Sequence, residues 1–287
     1  MGPEEILLLL REGLEPWPEI LRRLRISRSE LLGALRALQE EGFPVVVEEG
    51  GAGLLPGSPA PQFLLPRLKG KFGRPYRYLG RVTSTQDVLA EWREAPAGAV
   101  VVAECQTRGR GRLGRPWESP LGNLYFSVLL EEADPLLPLR AGLALVEAVG
   151  FGLLKWPNDL LSPDGRKMGG ILVERSGFRV LLGVGINVAR APIPASAAIS
   201  EFKSCSRVQL LADFLWSLEN WLSRENEEVL SHWKSQNVTL GREVVVRVGK
   251  HVIFGKAVDL GPKGELILHT EEGVVFVRAG DVGFPQK

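Results

Sequence analysis

Between Gln106 and Trp117 the chain reads Gln-Thr-Arg-Gly-Arg-Gly-Arg-Leu-Gly-Arg-Pro-Trp, with four arginines (Arg108, Arg110, Arg112, Arg115) and three glycines (Gly109, Gly111, Gly114). Glycine at this density costs too much backbone entropy for a regular helix or strand. The segment predicts a mobile loop with bare backbone N–H groups and guanidinium forks, suited to phosphate or carboxylate. Trp117 offers a flat face to a purine. Taken alone, a Gly/Arg tract is also what an RNA-binding or disordered segment looks like, although here only Trp117 supplies aromatic interleaving.

The 287 residues suit two or three domains with a sizeable core. A formal net charge of +1 gives no global field toward nucleic acid or a membrane. Cys105 and Cys205 make no disulfide framework and fit a reducing cytosol. The longest apolar run near the start, Leu7 to Leu10, is too short to span a membrane and lacks the basic flank of a signal peptide. A cytoplasmic protein is expected. His232, His251 and His269 are scattered, no His/Cys cluster has metal-ligand spacing, and no metal site is assigned.

Hydrophobic periodicity predicts an α+β chain in three units. In residues 1–65, helical stretches over Glu4–Arg11 and Pro18–Arg25 precede a third helix opening at Ser27. Ser27-Arg28-Ser29-Glu30 has the form of a capping box, Leu31, Leu32, Leu35 and Leu38 make the apolar face, and Gly42 ends it. Val45–Glu48, a turn over Glu49-Gly50-Gly51-Ala52-Gly53 and Leu54-Leu55 read as a hairpin, completing a winged helix-turn-helix outline. Pro56 to Pro75 has linker composition. Residues 66–235 predict strands over Ala99–Ala103, Leu124–Leu130, Gly152–Lys155, Gly170–Glu174 and Val180–Asn187. Their helices are Thr85–Glu94, Leu136–Val149 and Val208–Trp233, the last read as one helix or as two with a kink between them, which gives one mixed sheet with helices. In residues 236–287, strands Glu243–Val248, Val252–Leu260, Glu265–His269 and Val274–Arg278 suggest a small SH3-like β-barrel.

After the Gly/Arg loop come Lys155-Trp156-Pro157-Asn158-Asp159, then Lys167-Met168-Gly169-Gly170-Ile171-Leu172-Val173-Glu174, then Gly183-Val184-Gly185-Ile186-Asn187-Val188. In this order the set closely resembles the biotin–protein ligases, and the outline resembles their bifunctional form, which also represses biotin synthesis. The resemblance runs from about Leu24 to the C-terminus, with its motifs between Ser84 and Asn187. It implies a class II synthetase-like central domain and a two-step reaction. Biotin carboxylate attacks the α-phosphate of ATP, giving biotinyl-adenylate and pyrophosphate; a lysine of a biotin carboxyl carrier protein then attacks the mixed anhydride.

The first step brings an anion onto an anion, so the site must supply positive charge and N–H donors. The resemblance places Arg110, Gly111 and Arg112 around the biotin carboxylate and adenylate phosphate. Lys167 bridges the two reacting groups, and Gly169 and Gly170 let ligand approach the strand backbone. Ser84, Thr85, Gln86 and Gln106 face the fused ring of biotin; Gln86 stands where many relatives have Asn. Arg115, Trp117, Lys155, Asn158 and Asn187 go to the nucleotide, with Trp117 stacking on adenine. Asp159 either helps deprotonate the acceptor lysine or holds the Mg²⁺ that accompanies ATP, and both roles stay open. A reactive anhydride also needs shielding from water, so the loop is expected to order over it as a lid.

Residues 1–65 pull two ways. Six basic residues against ten acidic ones give this unit a net charge of −4, the wrong sign for phosphate contact. Arg22, Arg23, Arg25, Arg28 and Arg36 are the candidates for contacting operator DNA, as a homodimeric repressor would. The other reading is a purely structural domain. A lipoate–protein ligase and a non-catalytic small-molecule-sensing regulator are the competing functions. The Gly/Arg loop and Lys-Trp-Pro-Asn-Asp favour biotin over lipoate, and Lys167 beside an arginine loop argues against a pure sensor.

Overall fold

The computed structural model describes residues 1–132 and 134–285. Helices α1 (Pro3–Leu9), α2 (Trp17–Leu24) and α3 (Arg28–Glu40) open the chain. The hairpin of β2 (Val45–Glu48) and β3 (Gly51–Leu54) follows, and the short strand β1 (Glu15–Pro16) adds to β3. The predicted cap of α3 is present: Ser27 Oγ accepts from Glu30 N–H at 3.3 Å, and Glu30 accepts from Ser27 N–H at 2.9 Å. Leu31, Leu35 and Leu38 are buried, and Gly42 at φ +93° turns the chain out of the helix.

The hairpin corrects the sequence reading. Gly51, Ala52 and Gly53 are strand residues, and the turn is only Glu49–Gly50. A Cβ on Gly51 would collide with the Glu15 carbonyl, and one on Gly53 with the Gly13 carbonyl. These glycines admit a close backbone neighbour and do not form a loose loop. The Pro-rich segment after the hairpin also departs from expectation. It folds into α4 (Pro61–Leu64) and a 3-10 turn, with Ser58, Ala60 and Leu64 fully buried.

The centre is a seven-stranded sheet in the order β4-β5-β6-β10-β9-β8-β7. Its strands are β4 (Tyr76–Val82), β5 (Val100–Gln106), β6 (Leu124–Leu130), β7 (Leu153–Lys155), β8 (Asp159–Leu161), β9 (Lys167–Ser176) and β10 (Arg179–Ile186). Only β4 and β5 run parallel. Helix α5 (Thr85–Glu91) covers one face, while α6 (Leu137–Val149) and α7 (Arg207–Leu222) share the main core on the other. The period-2 alternation of strands sets the sides: Val100 and Val102 join the main core, and Val101 joins Leu89, Leu129 and Leu181 under α5. Of the two readings of Val208–Trp233, the two-helix one holds, with α7 followed by α8 (Asn226–Ser235). Strands β4 and β8 escape the sequence reading, because Arg77, Gly80 and Arg81 break the apolar pattern of one and the other is three residues long.

The last sheet has five strands in the order β14-β13-β12-β11-β15. The four anticipated strands are β11 (Glu243–Val248), β12 (His251–Leu260), β13 (Leu266–Thr270) and β14 (Gly273–Val277). An unanticipated fifth, β15 (Asp281–Gly283), pairs with β11 and brings Arg247 opposite Asp281. Among the described residues no helix is long and apolar enough to cross a membrane.

Candidate functional site

The site begins where α5 stops covering its face of the sheet. On that face β10 presents Leu181, Gly183 and Gly185 in turn, and Gly170 of β9 pairs with Gly185. Leu181 is core; the three glycines leave a floor of bare backbone. Two side chains lie on it. Gln86 covers Gly183, and the Trp117 indole spans the other two: a Cβ on Gly185 would sit 2.5 Å from its Nε1, and one on Gly170 3.1 Å from Cζ3. Gln86 Oε1 and Trp117 Nε1 are buried without a hydrogen-bond partner. An orphan acceptor or donor of this kind costs about 1–3 kcal/mol, which a ligand carrying both functions would offset.

Above this floor is a cavity of about 320 Å³, within the range of small-molecule sites. Ser84, Thr85, Gln86 and Gln106 are among the residues that line it. Ser84 caps α5, accepting from Gln86 N–H at 3.2 Å. Gln106 is fixed at both ends: its Oε1 accepts from Thr85 N–H at 2.9 Å, and its Nε2 donates to Ser119 Oγ at 2.9 Å. Thr85 and Ser127 share a hydroxyl hydrogen bond of 2.8 Å.

The Gly/Arg segment is more regular than its composition predicts. It forms a hairpin-like flap, with Trp117 N–H donating to Gly109 O at 2.9 Å and Gly111 N–H to Arg115 O at 2.7 Å. Gly109 makes this possible, since a Cβ there would lie 2.5 Å from Trp117 O and 2.6 Å from Ser119 Oγ. Leu113 turns the tip at φ +57° and is 74% exposed. Three arginines tether the flap to three places. Arg110 donates to Asp87 at 2.8 Å and Glu174 at 3.3 Å. Arg112 donates to Asn158 Oδ1 at 3.1 Å and Gly280 O at 3.2 Å. Arg115 donates to Asp281 at 2.7 Å.

Lys167 Nζ lies 2.6 Å from Asp159 Oδ1 and 5.2 Å from the centroid of the Trp117 ring. Arg112 and Lys167 are therefore held by consecutive residues, Asn158 and Asp159, on the rim of one cavity. Burial pulls Arg112 below the ordinary arginine range, opposed by Asp281 and Asp159. Burial also lowers Lys155, with Asp159 opposing. Desolvated cations of this kind bind an incoming anion strongly, because the protein has already stripped their water. The hydrogen bond from Arg110 holds the Asp87 carboxyl below its usual range, so this tether is intact above that range and is lost only in strong acid.

Of the residues singled out in the sequence, Ser84, Thr85, Gln86, Gln106, Arg110, Gly111, Arg112, Arg115, Trp117, Lys155, Asn158, Asp159, Lys167 and Gly170 all line this cavity. Gly169 does not. It alternates to the opposite face of β9, where a Cβ would meet Leu145 of α6 at 3.3 Å. Asn187 lies just past β10, buried, with Nδ2 donating to Ala197 O at 3.2 Å and Oδ1 unpartnered. Among the other lining residues, Gly183 and Gly185 belong to a motif the sequence singled out without giving them a role, and Ile193, Asp281 and Val282 were not singled out at all. The period-2 glycines of Gly-Val-Gly carried a signal; nothing near Asp281 did. Among the described residues no three His, Cys, Asp or Glu side chains group as metal ligands.

Residues 78–189 match the biotin/lipoate A/B protein ligase family, and residues 239–284 match the biotin protein ligase C-terminal domain. The bifunctional ligase/repressor BirA of Bacillus subtilis is 30% identical over 90% of each chain. A biotin–[acetyl-CoA-carboxylase] ligase of Mycobacterium tuberculosis is 33% identical over 64% of this chain and 78% of its own. A biotin protein ligase from Aquifex aeolicus, solved in complex with biotin and ATP, superimposes with a TM-score of 0.66 at 35% identity, covering 72% of this chain and 97% of that one.

Proposed function

The chain belongs to the biotin–protein ligase family, and from that premise we propose how its cavity joins biotin to ATP and then to a protein lysine. It is an ATP-dependent biotin–protein ligase with biotin and ATP as substrates. The observation that carries the proposal is the seating of Lys167 and Arg112 on one rim beside a glycine floor. Biotin's flat bicycle lies on Gly183, Gly185 and Gly170 once the Gln86 and Trp117 side chains that cover them shift aside, with Gln86 Oε1 serving the N–H groups of its urea. Its carboxylate then faces Lys167 and Arg112. These cations neutralise the carboxylate and the α-phosphate together, lowering the cost of bringing two anions into line. Lys155, Asn158 and Asn187 hold the nucleotide, and Arg115 and Trp117 close over it.

Asp159 carries the second step. Once the phosphate draws Lys167 away from it, its carboxylate is free to accept the proton of the acceptor lysine. Asp159 and Asp281 are the carboxylates lining the cavity, and both are engaged by cations. These two carboxylates would hold a Mg²⁺ that arrives with the nucleotide, and the ion would supply positive charge to the pyrophosphate leaving group. The direct test is pyrophosphate release from ATP, which should require biotin and not respond to lipoate. Release driven by lipoate, or by neither acid, would reject the proposal.

The flap serves as the lid. Trypsin cleavage within 108–115 should slow by about tenfold or more when biotin and ATP are added together, since cleavage follows the open population. Equal cleavage with and without both substrates would remove this role. The acceptor is a biotin carboxyl carrier protein.

Residues 1–65 support a second, regulatory reading, because α2, α3 and the β2–β3 hairpin follow one another as in a winged helix-turn-helix. Arg22, Arg25, Arg28 and Arg36 are exposed, whereas Arg23 is tied to Glu15 and to the Leu9 carbonyl. We infer a dimer that binds its own biotin-gene operator when charged with biotinyl-adenylate. A gel shift on that promoter should appear only with biotin and ATP; no shift at about 10 μM protein in low salt would leave the domain structural.

A further inference from the structure

We infer that Asn123 is a positioning residue for the nucleotide half of the site, held in turn by the buried Arg207–Glu104 pair. Asn123 is fully buried in the turn before β6, outside the cavity lining. Its carboxamide oxygen accepts three consecutive backbone N–H groups, from Val188 at 2.9 Å, Ala189 at 3.0 Å and Arg190 at 3.2 Å, while its Nδ2 donates to Arg190 O at 3.0 Å. One side chain thus fixes both directions of the peptide immediately after Asn187. Three N–H groups gathered on one oxygen is the arrangement by which backbone nests hold an anion, here satisfied internally.

The loop that starts from this fixed segment goes on to hold the backbone of Lys167. Ala197 N–H donates to Lys167 O at 2.9 Å, Lys167 N–H to Ala195 O at 3.4 Å, and Ile193 lines the cavity. Gly122 leaves room for this approach, since a Cβ there would lie 3.2 Å from Ala189 Cβ. Behind Asn123, Arg207 donates to its backbone carbonyl at 3.1 Å, to Glu104 at 2.6 Å and to Ser58 Oγ at 3.2 Å. Tyr78 completes the cluster with a 2.6 Å hydrogen bond to Glu104. Arg207 and Glu104 are at most 4% exposed, so a member of the cluster left without its partner pays the full cost of a buried polar group. Ser58 lies between the β2–β3 hairpin and α4, so the chain of hydrogen bonds runs from that segment to the loop beside Asn187 and Lys167.

This rests on the ligase reading, and its test separates the two. Asn123→Leu keeps the volume and removes every bond to 188–190. Asn123→Asp keeps the accepting oxygen and puts a carboxyl oxygen opposite Arg190 O, where protonation of that buried group restores the donation. In biotin-dependent pyrophosphate release, Asn123→Leu should raise the KM for ATP about tenfold or more, as misplaced binding groups do, with the KM for biotin changed less than about twofold. Asn123→Asp should stay within about threefold of the parent for both. Amide exchange at Val188, Ala189 and Arg190 should accelerate in Asn123→Leu and remain slow in Asn123→Asp, a readout that needs no activity. If Asn123→Leu does not fold, Asn123→Ser, whose hydroxyl is too short to reach, takes its place with the same expected split. Equal loss for biotin and ATP, or unchanged exchange at these three amides, overturns the inference. A parent protein that releases no pyrophosphate with biotin overturns the ligase reading, and the exchange data still decide this one.

Discussion

Replacing Lys167 with alanine is expected to lower biotin-dependent pyrophosphate release by on the order of a hundred- to a thousand-fold, with the protein still folded. The two parts of that statement have separate physical grounds. Lys167 Nζ contacts Asp159 in a cavity it shares with Arg112, so truncation removes a preorganised charge from the place where two anions must meet. The Lys167 side chain is 37% exposed and its ion pair is solvent-accessible; such pairs contribute about 0–1 kcal/mol to stability. Its backbone, which the substitution leaves in place, makes the hydrogen bonds to Ala195 and Ala197. Lys167→Arg should recover only part of the rate, because a planar fork does not reproduce a compact ammonium. Release within about threefold of the parent for Lys167→Ala would move the reacting phosphate elsewhere.

The second large effect is on stability. Glu104→Ala should destabilise the fold by about 3–5 kcal/mol, because it leaves the Arg207 guanidinium buried and uncompensated. For a chain of this size that corresponds to a fall in melting temperature of roughly 10 °C. Tyr78 adds to the loss, since its hydroxyl hydrogen bond ends on the same carboxylate. Glu104→Leu combined with Arg207→Met should cost less than Glu104→Ala alone, because removing both charges leaves none to desolvate. A melting temperature for Glu104→Ala within a degree or two of the parent would show that Arg207 finds another partner or water, and that the cluster is not held as described.

How much of this was legible in the sequence depends on the kind of signal. Local signals read well. The Ser27–Glu30 cap and the apolar stripe of α3 stand where the spacing puts them, and the glycine past the helix end does as well. Glycine proved ambiguous, because the same residue serves freedom in one place and close approach in another. Gly51 and Gly53 looked like a floppy turn and instead admit the chain at Gly13 and Glu15, a neighbour from far earlier in the sequence. The Gly/Arg segment looked irregular and instead pairs with itself across Gly109.

The motif residues assembled into one cavity because the start of α5, the ends of β5 and β7, the start of β9 and the flap after β5 all meet over the glycines of β9 and β10. Gly169 and Asn187 are the exceptions: the alternation of β9 turns Gly169 away, and Asn187 is buried just past β10 against Ala197. Residues that join the site from another unit were invisible. Asp281 and Val282 enter through a three-residue strand that has no periodicity to read. Asn123, between Gly122 and a strand, looks like ordinary turn chemistry until the loop after Asn187 is seen folded onto it. Long-range pairings of this kind have no trace in local spacing.

The most direct test is a structure of the protein with a non-hydrolysable biotinyl-adenylate analogue. The account predicts the bicycle lying on Gly183 and Gly185, with Lys167 Nζ and an Arg112 guanidinium nitrogen both within about 3.2 Å of the group replacing the phosphate. A bound analogue whose phosphate surrogate touches neither cation, or only one with the other more than about 6 Å away, would contradict it.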